Sequence, residues 1–594
     1  MGGTINRLFQ ESTRRFAGLA AQLEAERGER RPVSYEELGS LVRRFALGLR
    51  AMGVGRGDAV ALLSENRPWW AVADLGIIHA GGVCVALFPT LPAAQVRHIL
   101  ADSGAKVLVV SDGGQLSKAL EARRTLPGLG LVVMDSPSGR PEGVLRFDDV
   151  LAMGAAKGGD GDFAGLWRSV RPGDRASIIY TSGTTGEPKG AVLTHGNFVS
   201  NVEAAQAIFG LRPGDVMLST VPLNHVMGRM ADHYLPLTCG ASVSYVDKIR
   251  RIREKMVEVR PHYMVLVPRL LELFHEGLVS ALAKESYLKR RLFEWALSVG
   301  GRSAGPAGEK AAAPLRTGLA RRLADRLVFS SVRRRLGIDR LRFFISGSAP
   351  LALSTARFFR ALGIPVLEGY GLSETSPLVA INRPGRERLG TVGEVIEGVE
   401  VKIADDGEIL VRGPNVMEGY HRRPEETARA VDAQGWFHTG DVGEIDERGF
   451  LRITDRKKDL IVLSNGKKVA PQPIENRLRE SRYISQALLL GDGASTVAAL
   501  VAPDFDAVRR WLHDRGGEVP REDPALAASG EVRALMRSEI DRACRGLAEY
   551  EKVRRFALLE RDLSVESGEM TPTLKLRRRV VMERYRHLVD SLFR

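Results

Sequence analysis

Tyr180-Thr-Ser-Gly-Thr-Thr-Gly-Glu-Pro-Lys-Gly190 decides how this chain is read, because nearly every residue in it can hold a phosphate and few could build a core. Three glycines let the backbone turn tightly and approach a ligand. Thr181, Ser182, Thr184 and Thr185 offer hydroxyl donors, and Lys189 adds a positive charge. Glu187 and Pro188 separate Gly186 from Lys189, which excludes the G-x-x-x-x-G-K-[ST] spacing of a P-loop. Ser177-Ile-Ile-Tyr180 before the loop and Gly190-Ala-Val-Leu-Thr194 after it have the apolar texture of short strands, so the loop joins strand to strand. A Ser/Thr/Gly cluster between elements is ordinarily a solvated linker; the flanking strands and the lysine favour a polyphosphate cradle. Asn197 is the expected N-cap of the helix that follows.

Outward from the loop, the chain alternates helical and strand periods in the manner of an α/β domain. Residues 35–52 form an amphipathic helical pattern, 58–63 a buried strand, 95–103 a helix and 106–110 a strand. Residues 68–94 are apolar enough to raise a membrane span, but Asp74, His79 and Gly81-Gly82 interrupt them. A buried helix followed by a strand over residues 83–87 is the expectation. After the loop, further strands are expected near 217–220, 242–246, 263–267 and 341–346, which makes two sheets. Residues 300–313 have the composition of a flexible insertion. From Gly390 the texture changes to short strands and turns, as in a small β subdomain, and the charged run at 455–459 marks a boundary or hinge.

At 594 residues the chain exceeds a single core. A net charge of +14 suggests anionic partners, while a 6% aromatic content and the lack of a nucleic-acid-binding motif argue against nucleic acid. Lys289-Arg-Arg291, Arg321-Arg322 and Arg333-Arg-Arg335 are either solvated helix faces or a docking surface for anionic lipid headgroups. Cys84, Cys239 and Cys544 lack metal-ligand or redox spacing, which predicts buried, reduced thiols in a cytoplasmic protein. No secretory signal is expected at the start.

Further constellations carry chemistry. In Glu368-Gly-Tyr-Gly-Leu-Ser-Glu-Thr-Ser376, Tyr370 could stack on a base, Gly371 admit a phosphate and Glu374 hold a hard cation, although a glycine-rich turn would look the same. Asp441, in Trp436-Phe-His-Thr-Gly-Asp441, is either a turn former or an acceptor for a ribose diol. Lys575 sits between two leucines, as an exposed residue of an alternating strand would.

In order and type these segments resemble the adenylate-forming superfamily of acyl-CoA synthetases, luciferases and adenylation domains, from about Leu38 to the C-terminus. Leu-Asn-His-Val-Met-Gly-Arg229, Ile-Ser-Gly-Ser-Ala-Pro350, Glu-Gly-Tyr-Gly-Leu-Ser-Glu374 and Thr-Pro-Thr-Leu-Lys-Leu576 look most like bacterial long-chain fatty acyl-CoA synthetases. The resemblance implies an α/β fold with a large N-terminal domain (1–455) of two packed α/β sheets plus a small β subdomain. A smaller, mobile α+β C-terminal domain (456–594) would follow it.

The implied activity is ATP-dependent activation of a long-chain fatty acid to acyl-AMP, then acyl transfer to CoA. Thr181, Ser182, Gly183, Thr184, Thr185, Gly186 and Lys189 would meet the β- and γ-phosphates, with Glu374 and Thr181 near Mg²⁺. Gly347, Ser348, Ala349, Glu368, Gly369, Tyr370, Gly371 and Ser373 would surround the nucleotide, and Asp441 and Arg456 the ribose. Lys575 would bridge carboxylate and α-phosphate, Lys458 occupy the hinge, and Gly466 face the thiol in the second half-reaction. His225 would contact the carboxylate or gate the acyl tunnel, where a lone histidine is otherwise structural. Met227, Met230 and residues 265–267 either line that tunnel or are core. Ser373 replaces a threonine common in relatives and keeps the hydroxyl.

Partners implied are fatty acid, ATP and CoA, contact with the inner face of an anionic membrane, and a homodimer. The rival readings are a fatty acyl-AMP ligase, an aryl or medium-chain acid–CoA ligase, and an ATP-binding sensor or scaffold without turnover.

Overall fold

The computed structural model describes residues 3–24, 26, 31–135, 141–181, 188–303, 315–571 and 575–593. Two large sheets dominate. An eight-stranded sheet takes in the strands Ala59–Leu63, Val83–Leu87, Val107–Val110 and Arg175–Thr181, and a nine-stranded sheet those from Val216–Ser219 to Glu394–Val395. Their centres are parallel; both edges of the nine-stranded sheet and one edge of the eight-stranded sheet are antiparallel, and the other edge of the latter is parallel. In the strand Ala59–Leu63 every residue is buried: Val60 and Leu62 face the main core, Ala59, Ala61 and Leu63 a second cluster on the other side. This double burial explains an uninterrupted apolar run with period-two partition.

The helix Pro68–His79 is buried along its whole length and carries proline at its first turn. Twelve residues suit a core helix, and the strand Val83–Leu87 follows it as expected. Among the described residues no helix is long and apolar enough to cross a membrane.

Two expectations need correction. Thr194, not Asn197, is the N-cap of the helix His195–Phe209: its hydroxyl accepts from Asn197 N at 3.2 Å, and Asn197 Oδ1 accepts from Thr194 N at 2.8 Å. Asn197 is the third-residue partner of a capping box, and its amide also reaches Pro414 O and Val416 O. Residues 300–303 are not an insertion but the end of the helix Tyr287–Ser303, with Gly300 buried against Ala361 O; residues 304–314 lie outside the described set. The strand Leu451–Arg456 ends within the charged run at 455–459, where Asp455 and Arg456 pair with Val442 and Asp441.

The β subdomain is a four-stranded antiparallel sheet built from Glu400–Ile403, Glu408–Arg412, Phe437–Ile445 and Leu451–Arg456. Beyond it, Ile461–Val462 pairs with Lys468–Val469, and a three-stranded sheet (Ile484–Leu490, Val497–Pro503, Val553–Leu558) has helices on it and apolar clusters on both faces. The large domain is thus followed by a smaller α+β one with its own core. Cys84, Cys239 and Cys544 are buried free thiols.

Candidate active site

The strands Arg175–Thr181 and Lys189–Thr194 form an antiparallel hairpin in which Thr181 pairs with Lys189. Ser182, Gly183, Thr184, Thr185 and Gly186 lie outside the described residues. At the base of the loop, Lys189 forms an ion pair with Glu426, and its amine stands 5.7 Å from the centre of the Tyr420 ring. The Tyr420 hydroxyl donates to Glu374 Oε1 at 2.8 Å, so the tyrosine ties the phosphate hairpin to the candidate cation ligand. Neither Tyr420 nor Glu426 stood out in the sequence. The short strand Gly419–Tyr420 reaches the site only by pairing with Ala191 and Val192, more than two hundred residues away, and the sole local signal is an aromatic residue after a glycine.

Glu374 sits in the short helical turn Ser373–Thr375, directly after the strand Val366–Gly371. Gly371 permits this sharp change of direction, since a Cβ there would fall 1.7 Å from Pro377 O. Gly347, Ser348 and Ala349 leave the end of the neighbouring strand Phe343–Ser346. A Cβ on Gly347 would meet Met227 Sδ at 3.2 Å and Gly369 O at 3.3 Å, which places this turn between the His225 segment and the Glu368–Gly371 strand end. Burial pushes the Glu368 carboxyl up to about 8, so it is predominantly protonated at neutral pH.

Asp441 is buried and its oxygens are taken: Tyr370 OH donates to Oδ2 at 2.7 Å, and Arg456 Nε lies 3.1 Å from Oδ1. The pairing of Asp441 with Arg456 across neighbouring strands fixes that acid–guanidinium geometry from the backbone. A ribose diol entering here would find an acceptor already oriented by a tyrosine and an arginine.

Lys575 arrives from the other end of the chain on a small hairpin. Thr571 N donates to Lys575 O at 2.8 Å, Lys575 N donates to Thr571 Oγ1 at 3.0 Å, and Met570 bridges Leu576. Burial and the Arg456 charge pull the Lys575 amine down to about 8 against the opposing pull of Asp441 and Glu374. His225 caps the short helix Val226–Gly228, its Nδ1 accepting from Met227 N at 3.2 Å; burial first, then the Lys575 charge, lowers its ring to about 3. His225 is therefore neutral at physiological pH. Lys575, Glu374, Asp441, Arg456 and His225, from five separated parts of the sequence, share one electrostatic neighbourhood.

The His225 segment is held from behind. Arg229 is fully buried with its guanidinium paired to Asp74 of the helix Pro68–His79 and bonded to Ser177 Oγ at 2.5 Å and Tyr234 OH at 3.0 Å. Asn224 accepts from Trp70 Nε1 at 3.0 Å. A π-helical turn, Arg229–Tyr234, follows, a feature frequent beside functional sites. Lys458 lies in the turn after Leu451–Arg456, and Gly466 in the turn between Ile461–Val462 and Lys468–Val469, where its φ of +79° suits glycine. Among the described residues no group of three or more His, Cys, Asp or Glu is arranged to hold a metal ion by itself.

A model of the AMP-binding enzyme family matches residues 9–421, and one of the AMP-binding enzyme C-terminal domain matches residues 458–594. The chain is 39% identical over 458 residues to the putative fatty-acid–CoA ligase fadD11 of Mycobacterium tuberculosis, covering 76% of this chain and 79% of that protein. It is 34% identical over 569 residues to the long-chain-fatty-acid–CoA ligase FadD15 of the same organism, covering 94% and 92%. The fold matches that of the anthranilate CoA ligase AuaEII in complex with anthranoyl-AMP, with a TM-score of 0.73 at 19% identity, over 100% of this chain and 98% of that one.

Proposed function

The chain belongs to the AMP-binding enzymes, and from that premise we propose that it is a long-chain fatty acid–CoA ligase working through an acyl-AMP. In the first half-reaction a carboxylate oxygen bonds to the α-phosphorus of ATP and pyrophosphate leaves. In the second, the CoA thiol attacks the acyl carbon and AMP leaves with the bonding electrons.

The observation that supports this reading is that the charges of Arg456, Asp441 and Glu374 act on the Lys575 amine, and the Lys575 charge on His225. Two anions must meet in the first step, and an ammonium between them offsets their repulsion and the charge that builds on the bridging oxygens. Asp441 and Arg456 would hold the ribose, and Tyr370 with Gly347, Ser348, Ala349, Glu368 and Gly369 the adenine. The hairpin from Thr181 to Lys189 would hold the outer phosphates, with Gly371 and Ser373 close by. Neutral His225 keeps a lone pair on Nδ1 for Met227 N and leaves Nε2 for the acid or for gating the acyl path. One carboxylate and one hydroxyl, Glu374 and Thr181, fit a Mg²⁺ whose other ligands are water and phosphate oxygens; bound there, it would neutralise phosphate charge.

For the second step Lys575 would withdraw by rotation of a C-terminal domain beginning at 456, about Lys458, bringing Gly466 towards the thiol. The reading extends to a cytoplasmic enzyme resting on the inner face of an anionic membrane, and to a homodimer.

Pyrophosphate release with a panel of acids, each with and without CoA, tests the proposal. Turnover requiring both a long-chain acid and CoA is expected. Acyl-AMP accumulating without a CoA requirement would mark an acyl-AMP ligase, preference for aryl or medium-chain acids a different substrate class, and no turnover a binding protein.

A further inference from the structure

Lys189 opens the strand Lys189–Thr194, where the proposed reading puts the outer phosphates of ATP, yet its amine already has a counter-charge. Glu426 forms an ion pair with it, and the centre of the Tyr420 ring stands 5.7 Å away. The Lys189 and Glu426 side chains are 30% and 29% exposed, so the pair is within reach of an incoming ligand without being fully solvated.

Backbone pairing puts the carboxylate there. Gly419 and Tyr420 pair with Val192 and Ala191, Glu418 N donates to Val192 O at 3.0 Å, and His421 N donates to Gly190 O at 2.8 Å. The helix Pro424–Ala430 is tied to that strand through Thr427, whose Oγ1 accepts from Tyr420 N at 2.8 Å and donates to Arg423 O at 2.9 Å. Gly419 has a φ of +152°, and a Cβ there would fall 2.6 Å from Thr427 Cγ2, so glycine is what lets the helix lie this close. In the first turn of that helix Glu425 is exposed, whereas Glu426 turns to the lysine. Burial first, then the Glu374 and Glu426 carboxylates, push the Tyr420 hydroxyl far up, so it remains the donor to Glu374. Two acids thus flank one ring, Glu374 on the hydroxyl and Glu426 on the lysine that lies over it.

A stabilising role does not account for Glu426. The strand pairing and Thr427 already join the helix to the hairpin, and a half-exposed ion pair adds little to stability. The reaction supplies a better reason for the charge. When a carboxylate oxygen bonds to the α-phosphorus, the bond from that phosphorus to the bridging oxygen breaks and its electron pair leaves with pyrophosphate. The outer phosphates therefore carry more negative charge as product than as part of ATP. A lone ammonium would hold the product more tightly than the substrate, and a neutral lysine–glutamate pair removes that bias.

We propose that Glu426 is the counter-charge that lets pyrophosphate go, sharing Lys189 with the outer phosphates while ATP is bound and reclaiming the amine as the product leaves. The inference rests on the reading that brings those phosphates to Lys189. Glu426 acts through the lysine and is a positioning residue.

The test is calorimetric titration of the full chain with magnesium pyrophosphate and, separately, with magnesium ATP, with no acid or CoA present. Glu426→Gln keeps the shape and removes the charge; it should bind pyrophosphate about fivefold or more tightly, and ATP within about twofold of the unmodified chain. Glu426→Asp keeps the charge and should stay within about twofold for both ligands, and the thermal midpoint should hardly move in either variant. In turnover with a long-chain acid and CoA, pyrophosphate should inhibit Glu426→Gln about fivefold more strongly. Pyrophosphate affinity that is unchanged or weaker in Glu426→Gln overturns the inference, as does an equal change in Glu426→Asp or an equal tightening of ATP and pyrophosphate. The titrations involve no acid, so the ligase reading fails separately: tighter pyrophosphate in Glu426→Gln with no long-chain turnover by the unmodified chain would keep the counter-charge and remove the ligase.

Discussion

On the proposed reading Lys575 is the residue on which the chemistry turns, and its charge is poised. A lysine serves as a cation only below its pKa, and that of Lys575 is drawn down to about 8. Acyl-AMP formation measured as kcat/KM should accordingly fall as pH rises through about 8. In the kcat profile the falling limb should move higher, because bound phosphate favours the protonated amine. His225, lowered to about 3, should add no limb near 6.5. Lys575→Ala should slow adenylation by about a hundredfold or more, on the scale of one lost preorganised donor at about 3 kcal/mol, with ATP affinity largely kept. Normal pyrophosphate release from that variant would remove the lysine from the step. Lys575, Asp441 and Glu374 were singled out by the resemblance of their segments to the adenylate-forming superfamily, since each segment taken alone also fits a turn or an exposed strand. Tyr420 was not: its link to Glu374 is made by strand pairing across the chain, and its neighbours in sequence give no hint of it.

At the scale of elements, the hairpin that carries Lys575 has an unusual anchor. Glu569 is fully buried at its base, with its backbone oxygen accepting from Arg577 N at 2.8 Å. Its carboxylate takes Arg561 at 2.6 and 2.9 Å, Arg584 at 3.0 Å, Ser567 Oγ at 2.6 Å and Tyr585 OH at 3.2 Å. Glu569→Gln preserves the shape but removes the charge that gathers both arginines. It should lower adenylation roughly ten- to hundredfold through misplacement of the amine, while CoA acylation from supplied acyl-AMP stays near normal. Equal loss in both halves would mean the domain itself had failed. The elements most legible in the sequence were those with strong local period, such as the buried helix Pro68–His79 and the strand after it. The errors arose where composition misled: glycines at 300 and 301 suggested a break, yet Gly300 is small because the helix packs against Ala361 O there.

For the whole molecule, Asp74 and Arg229 join the eight-stranded sheet, the helix packed on it and the segment that presents His225. Arg229 reaches Ser177 on that sheet and Asp74 on that helix, with no exposure of either charge. Removing one partner leaves the other buried and unpaired, so Asp74→Ala should destabilise the large domain by about 3–5 kcal/mol. A clear fall in the thermal midpoint of that domain's transition would show it, and an unchanged midpoint would mean that water or a neighbour takes the carboxylate's place. The pairing was invisible in the sequence because Asp74 there marks only an interruption in an apolar run.

The seat of Lys575 also sets an order of arrivals. On the proposed reading the amine that helps join acid to phosphate would stand at the acyl-phosphate linkage it helps form, so the thiol must wait until that seat is vacated. Until then the first product would remain in equilibrium with its precursors, and labelled pyrophosphate could find its way back into ATP with no CoA present. The small domain would then act as a clock as well as a lid, spacing two chemistries that use one cleft.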